Sequence, residues 1–225
     1  MRRAAAIFVM WALAFPVFAQ LDQISNRDAV AGLKAALDKG AVYAVDTLGR
    51  KDGYFGDPRV KIPLPKSLQS AEKLMRTFGM GSTADELILT MNRAAEAAVP
   101  EAKQLLVDSV KKMTVQDAKG ILTGGDTAGT EYFRRTTQDQ LRARFLPIVK
   151  RSTEKVGLAQ TYNQYAGDAA RFGLIKKENA NLDSYVTEKA LDGLYFMIAE
   201  EEKKIRRDPV GSASGIIKKV FGAIR

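Results

Sequence analysis

Ser25–Leu48 reads SNRDAVAGLKAALDKGAVYAVDTL, and its apolar residues decide how the rest of the chain is read. Val30, Leu33, Leu37, Ala41, Ala44 and Leu48 recur at three- and four-residue steps, the spacing of one buried stripe on an α-helix. Ser25 followed by Asp28 is a capping-box pattern with a short acid, so a helix over Ala29–Leu48 is expected to open there.

Downstream, KDGYFGDPRVKIPLP (51–65) breaks that pattern. Gly53, Gly56, Pro58, Pro63 and Pro65 forbid a helix, which leaves a short extended or hairpin-like arm and the one place for a strand. Helical spacing then returns. Ser67–Phe78 ends at Gly79, a C-cap residue, and Ser82 or Thr83 is expected to cap the next helix, to about Ala98. Pro100 suits the first turn of another helix, which buries Leu105, Leu106, Val110 and Met113. Thr114 caps a short helix through Leu122. Helix resumes near Thr127. Thr137 with Gln140 reads as a second capping box, predicting a bend near Thr136, and Pro147 predicts a kink or break. Further helices are expected over 158–171, 182–206 and 214–224. With no fixed-period repeat and no low-complexity linker, the expectation is one all-α domain: a multi-helix bundle with one short extended or hairpin-like arm.

Upstream, MRRAAAIFVMWALAFPVFAQ has the layout of a secretory signal peptide. Arg2 and Arg3 precede an apolar run, and Val17-Phe18-Ala19 closes it. The run is short against the ~20 residues of a bilayer span. Residues 1–19 are therefore read as a signal cleaved after Ala19, and 20–225 as a single helical domain exported to the periplasm. The chain has no Cys and no His. Disulfides, thiol catalysis and thiolate metal sites are excluded, and the usual general base and metal ligand are missing. Catalysis would rest on Asp, Glu, Tyr, Lys, Ser or Thr. No cofactor or metal site is expected, and a non-catalytic role is favoured. The formal charge of +9 falls by two to +7 without Arg2 and Arg3. A basic surface attracts polyanions or anionic lipid, with nucleic acid disfavoured by export.

The glycine-rich LTGGDTAGTEYFRR (122–135) carries the first chemical question. Gly124 and Gly129 have the glycine spacing of a phosphate loop, but Thr130 and Glu131 stand where its lysine and hydroxyl residue belong, so nucleotide binding is rejected. Two readings remain: Asp126 as a helix cap, or an anion site of free N–H groups with Arg134 or Arg135 one turn on. Tyr132 and Arg135 share a helix face, while Phe133 belongs in the core. Asp192 lies in ALDGLYFMIA, a run apolar enough to demand that its carboxylate be paired, so an Arg134–Asp192 pair away from water is expected. In MNRAAEAAV, Asn92 and Glu96 sit one turn apart among alanines, either as a solvated stripe or as a polar wall. Asn92, Glu96, Asp126, Tyr132, Arg134, Arg135 and Asp192 form the candidate ligand-binding set. The run EEEKKIRRDP holds Glu200–Lys204 and Glu202–Arg206 pairs, which read as a solvated helix end. The tail GIIKKVFGAIR has an apolar face and a basic face, fit either for docking on the domain, the favoured reading, or for weak contact of residues 215–225 with an anionic membrane surface.

In this order, DPRVKIPLP, MNRAAE, ILTGGDTAGTEYFRRTT, FLPIVK and LDGLYFMIAEEEKKIRRDP resemble the exported bacterial proteins of the domain-of-unknown-function family DUF4197. The resemblance spans nearly the whole chain after the leader. It implies an exported, mainly helical protein and brings no activity or catalytic residue with it. The family pattern tends to have alanine where Gly129 stands, which implies helix already before Thr130. The expectation is a soluble periplasmic protein that binds a small anionic or polar ligand or an envelope partner. An envelope-polymer hydrolase using Asp126 and Glu131, or a structural or membrane-surface protein using its basic C-terminal helix, are the alternatives.

Overall fold

A computed structural model describes residues 25–79, 81–154, 159, 160, 162, 163, 181–209, 211 and 214–222. The expected leader, and most of the helix expected over 158–171, lie outside these residues. Among the described residues the chain is all α-helical with no strand. It forms α1 (Asn26–Leu48), α2 (Lys66–Thr77), α3 (Gly81–Ala98), a 3₁₀ turn (Val99–Glu101), α4 (Ala102–Lys112), α5 (Val115–Leu122), α6 (Ala128–Thr153), α7 (Leu182–Arg207) and α8 (Gly215–Gly222).

The periodicity works as expected in α1. Leu33, Leu37, Ala41, Ala44 and Leu48 are buried on one stripe, and the Ser25 side chain accepts from the Asp28 N–H at 3.1 Å. The Asp28 carboxylate is not part of a reciprocal box; it takes the Lys219 ammonium of α8 at 2.6 Å. That interaction and the Ser25 bond hold it below the usual Asp range. Thr114 and Asp117 do form a full capping box at the head of α5.

The bundle is organised around α1, α6 and α7. Helix α6 packs on α7 and α3, and α1 packs on α7, α8 and α4. Residues 129, 137, 142 and 153 of α6 meet 202, 195, 188 and 183 of α7 in turn, so the two run antiparallel. This register places Phe133, Leu141, Phe145 and Val149 against Val186, Ala190, Leu194 and Ile198 in one core.

Three sequence expectations about helix boundaries change, and at Pro147 it is the break, not the kink, that the continuous helix excludes. Helix α6 is unbroken through Thr137, whose hydroxyl donates to the Phe133 carbonyl at 2.7 Å, inside its own helix. Its remaining lone pair accepts from the Tyr195 hydroxyl at 2.9 Å. A Thr that finds a partner on α7 has no reason to end a helix. Pro147 also lies inside α6. The surrounding packing outweighs the hydrogen bond it removes. Ser82 and Thr83 lie within α3, which already includes Gly81.

The C-terminal helix docks. Ile217, Val220 and Phe221 are buried, and a Cβ at Gly32 would lie 2.5 Å from a Val220 methyl, so α1 and α8 approach as closely as glycine allows. Burying those three side chains contributes on the order of 5 kcal/mol before ordering costs. The apolar face that a membrane would have used is turned onto α1.

Candidate ligand-binding groove

The arm between α1 and α2 is a series of turns over 51–60 followed by an extended run over 61–65. It is extended, not a hairpin, and Asn92 takes the place of a strand partner. The Ile62 N–H donates to Asn92 Oδ1 at 2.8 Å, and Asn92 Nδ2 donates to the Ile62 carbonyl at 2.9 Å. Four residues on, Glu96 Oε1 accepts the N–H groups of both Tyr54 and Phe55 at 3.1 Å, and Glu96 Oε2 takes Arg93 at 2.6 Å. Arg93 also reaches Asp52 at 2.7 Å. Asp52 sits at φ +64°, a left-handed turn conformation that Asp tolerates better than most residues. The fully buried Tyr54 ring lies on Gly193 of α7, where an added Cβ would come within 2.6 Å. Its hydroxyl donates to the Ala190 carbonyl at 2.6 Å. Asn92 and Glu96 are therefore neither a solvated stripe nor a ligand wall. Both are buried, and both are committed to holding the arm.

The head of α6 corrects the reading of the glycine loop. Asp126 is exposed, and the N-cap position belongs to Thr127, whose side chain makes no capping bond. The cap comes from α7. Glu202 Oε1 accepts from the Gly129 N–H at 2.9 Å, and Oε2 accepts from the Thr130 N–H at 2.8 Å and its hydroxyl at 2.9 Å. Arg206 holds the same carboxylate at 2.9 Å and donates to the Ile121 carbonyl at the end of α5. The Glu202–Arg206 pair is thus buried, not a solvated helix end, with side chains 6% and 12% exposed. Charge at a helix N-terminus is worth most where water is excluded. The anion site that the free N–H groups could have offered is filled by the protein's own Glu202.

The Arg134–Asp192 pair exists but is wet. Its closest approach is 3.8 Å, and the side chains are 35% and 55% exposed. Asp192 also takes Lys189 at 3.2 Å, while Arg134 stacks on the Tyr195 ring at 4.6 Å. The apolar run around Asp192 leaves one strip of α7 at the surface, where Asp192 and Phe196 sit. The like-charged neighbour Glu188 is drawn to Arg142 of α6.

Tyr132 and Arg135 do share a setting. A groove of about 390 Å³ between α4 and α6 is lined by Lys112, Ser109, Tyr132, Arg135, Thr136 and Gln140, with Asp108 and Asp117 at its rim. A second, of about 460 Å³ between α5 and α6, shares Asp117, Tyr132 and Arg135 with it and adds Glu131 and Gln116. The floor is fixed. Tyr132 is buried and its hydroxyl donates to the Ser109 carbonyl at 2.8 Å. The Thr136 hydroxyl donates to the Tyr132 carbonyl at 2.8 Å and so accepts from Ser109 Oγ at 2.7 Å. Over this floor the Arg135 guanidinium lies 5.6 Å from the Tyr132 ring centre. The acid paired with it, Asp117, is 3.7 Å away and forms no hydrogen bond with it. The Asp117 carboxylate is already bonded by the Thr114 hydroxyl and N–H, which hold it below the ordinary Asp range. Lys112 makes no ion pair among the described residues. Two cations and the Gln140 amide thus line one groove with donors to spare.

The seven candidates therefore divide into an arm clamp (Asn92, Glu96), an exposed loop residue (Asp126), a surface ion pair (Arg134, Asp192) and a groove pair (Tyr132, Arg135). Lys112 was not singled out by sequence reasoning, because a surface Lys carries no local signal, and Thr136 and Gln140 were read as parts of a helix boundary rather than of a site. Among the described residues no group of acids could hold a metal ion.

Such an arrangement defines a helical-bundle protein with an open, cation-lined groove on an internally braced scaffold. The chain belongs to the DUF4197 family, described as a protein of unknown function, whose family model matches residues 23–222. Neither a curated protein nor a solved structure matches the chain.

Proposed function

We propose that this is an exported, non-catalytic binding protein whose α4–α6 groove takes a small ligand carrying a carboxylate or phosphate. The observation that carries the reading is the state of Arg135. Its guanidinium is steered by the Tyr132 ring, opens onto both grooves and makes only a loose 3.7 Å ion pair with Asp117, with no hydrogen bond. Arg is suited to bidentate recognition of planar or tetrahedral anions, and Lys112 and Gln140 supply the further donors. The volumes fall within the range of small-molecule sites. An envelope-polymer hydrolase would need two opposed acids, one of them protonated. The pair expected for it, Asp126 and Glu131, does not line a common groove: Glu131 lines the second groove, while Asp126 lies on the exposed loop outside both.

The leader-like residues 1–19 support export. Native mass spectrometry of protein taken from the periplasm tests both halves of the proposal. The expected result is a mature chain beginning at Gln20 that retains a small anionic molecule, lost in Arg135→Gln at unchanged melting temperature. A ligand retained equally by Arg135→Gln would remove the groove from the reading, and a chain found only with residues 1–19 attached inside the cell would remove export.

A further inference from the structure

The arm is the least regular part of the described fold and among its most tightly held. Asn92, Glu96, Tyr54 and Tyr185 fix it, the last by donating to the Pro63 carbonyl at 3.0 Å. Tyr54, Val60, Ile62 and Leu64 are buried, while Phe55 is half-buried and Pro58 and Pro63 are exposed. It also turns charge outward: Arg50, Lys51, Arg59, Lys61 and Lys66 are exposed. Its two acids are already occupied. Asp57 is bound through both oxygens by Arg59, at 3.0 and 2.6 Å, and Asp52 is taken by Arg93. Arg50, Lys51, Lys61 and Lys66 have no ion-pair partner among the described residues. Lys61 is also placed, its ammonium 4.0 Å from the centre of the Phe55 ring.

A segment whose two acids are already paired, and whose Arg50, Lys51, Lys61 and Lys66 are exposed without an ion-pair partner among the described residues, is suited to meet negative charge. We propose that the outer face of the 50–66 arm is a docking surface for a linear, base-free polymer with a phosphate on each repeat. Two observations select this partner among polyanions. The arm buries Tyr54, Val60, Ile62 and Leu64 and turns only the half-buried Phe55 and the small rings of Pro58 and Pro63 toward water, little apolar area for a bilayer to take up, and membrane-surface binding draws on buried apolar area as well as charge. The aromatic ring on this face, Phe55, is flanked by Lys61 and by Arg93, 5.9 Å from its centre, so it offers no open platform on which a nucleic-acid base could stack. The extended run 61–65, with Lys61 at its head and Lys66 just beyond its end, spans roughly 16 Å at ~3.3 Å per residue, a length that engages several repeats.

The test is calorimetric titration of the full mature chain with sodium polyphosphate, with anionic vesicles and a single-stranded oligonucleotide as parallel arms. The expected result is polyphosphate binding that weakens with salt, with a log–log slope of about −3 for four released counterions. The quadruple variant Arg50→Gln/Lys51→Gln/Lys61→Gln/Lys66→Gln should lose at least tenfold in affinity and most of that slope. Arg151→Gln, at an exposed cation outside both the arm and the groove, should bind polyphosphate as the wild type does, which separates this surface from net charge alone. A matched circular-dichroism melt shows that the variant is folded; if it is not, the single charge reversal Lys61→Glu should still lower the affinity several-fold. Polyphosphate bound equally by folded wild type and variant, or not bound at all, overturns the proposal. So does tighter binding to vesicles or to the oligonucleotide.

Discussion

Asn92 satisfies the N–H and the carbonyl of Ile62 with one side-chain amide, in a place no water reaches. Asn92→Ala would strand both groups at about 1–3 kcal/mol each. A loss of about 2–4 kcal/mol in urea unfolding is expected, with early proteolytic cleavage in residues 51–61. Asp38 acts in the opposite direction. Its Oδ1 is buried with no hydrogen-bond partner among the described residues, and burial raises its pKa despite the nearby lysines Lys111 and Lys34. A carboxyl raised in the fold favours folding while protonated, and that contribution is lost as pH rises through the folded pKa. Asp38→Asn should therefore be more stable than wild type at neutral pH, and the gap should close near pH 3 in thermal melts. Asn92 was visible in the sequence as a polar residue out of place among alanines, but its purpose was not. The partner is thirty residues away on a segment whose path no periodicity predicts.

At the scale of elements, the head of α6 depends on α7. Glu202→Ala would leave Arg206 buried without its charge partner and the Gly129 and Thr130 N–H groups uncapped, and a loss of about 3–5 kcal/mol is expected. Glu202→Gln, which keeps an acceptor, should cost less; chemical denaturation of the two variants orders them. Gly193→Ala should drive the Tyr54 ring off α7 and lose about 1–3 kcal/mol by overpacking, read as a lower melting temperature with the arm exchanging its amide hydrogens sooner. Helix positions in α1, α5 and α7 were legible because each presents a repeating apolar stripe and a Ser, Thr or Asn at its start. The breaks expected at Thr137 and Pro147 were local signals overruled by partners on α7 and by packing. Glu202 and Arg206 have the spacing of a solvated pair. Only the fold, by laying α5, α6 and α8 over that end of α7, turns them into a buried cap. Gly129 shows the same limit. Its N–H is indeed a donor, as any residue's would be, but a Cβ there would meet a Leu37 methyl at 2.4 Å, a contact with α1 that no local pattern announces.

Across the whole molecule, Asn92, Glu96, Glu202 and Arg206 are spent on internal bracing, while the groove over Tyr132 and the outer face of the arm keep donors free. The all-α class followed from hydrophobic periodicity. The groove did not, because it is assembled from α4, α5 and α6, and its cations are ordinary in sequence. This division of labour is the account's central claim. It is tested most directly by following backbone amide shifts of the isotope-labelled mature chain while citrate is titrated in. The account predicts saturable shifts centred on residues 109–117 and 132–140, abolished by Arg135→Gln, with residues 88–96 unmoved. Shifts centred on 88–96, or a response unchanged by Arg135→Gln, would contradict it.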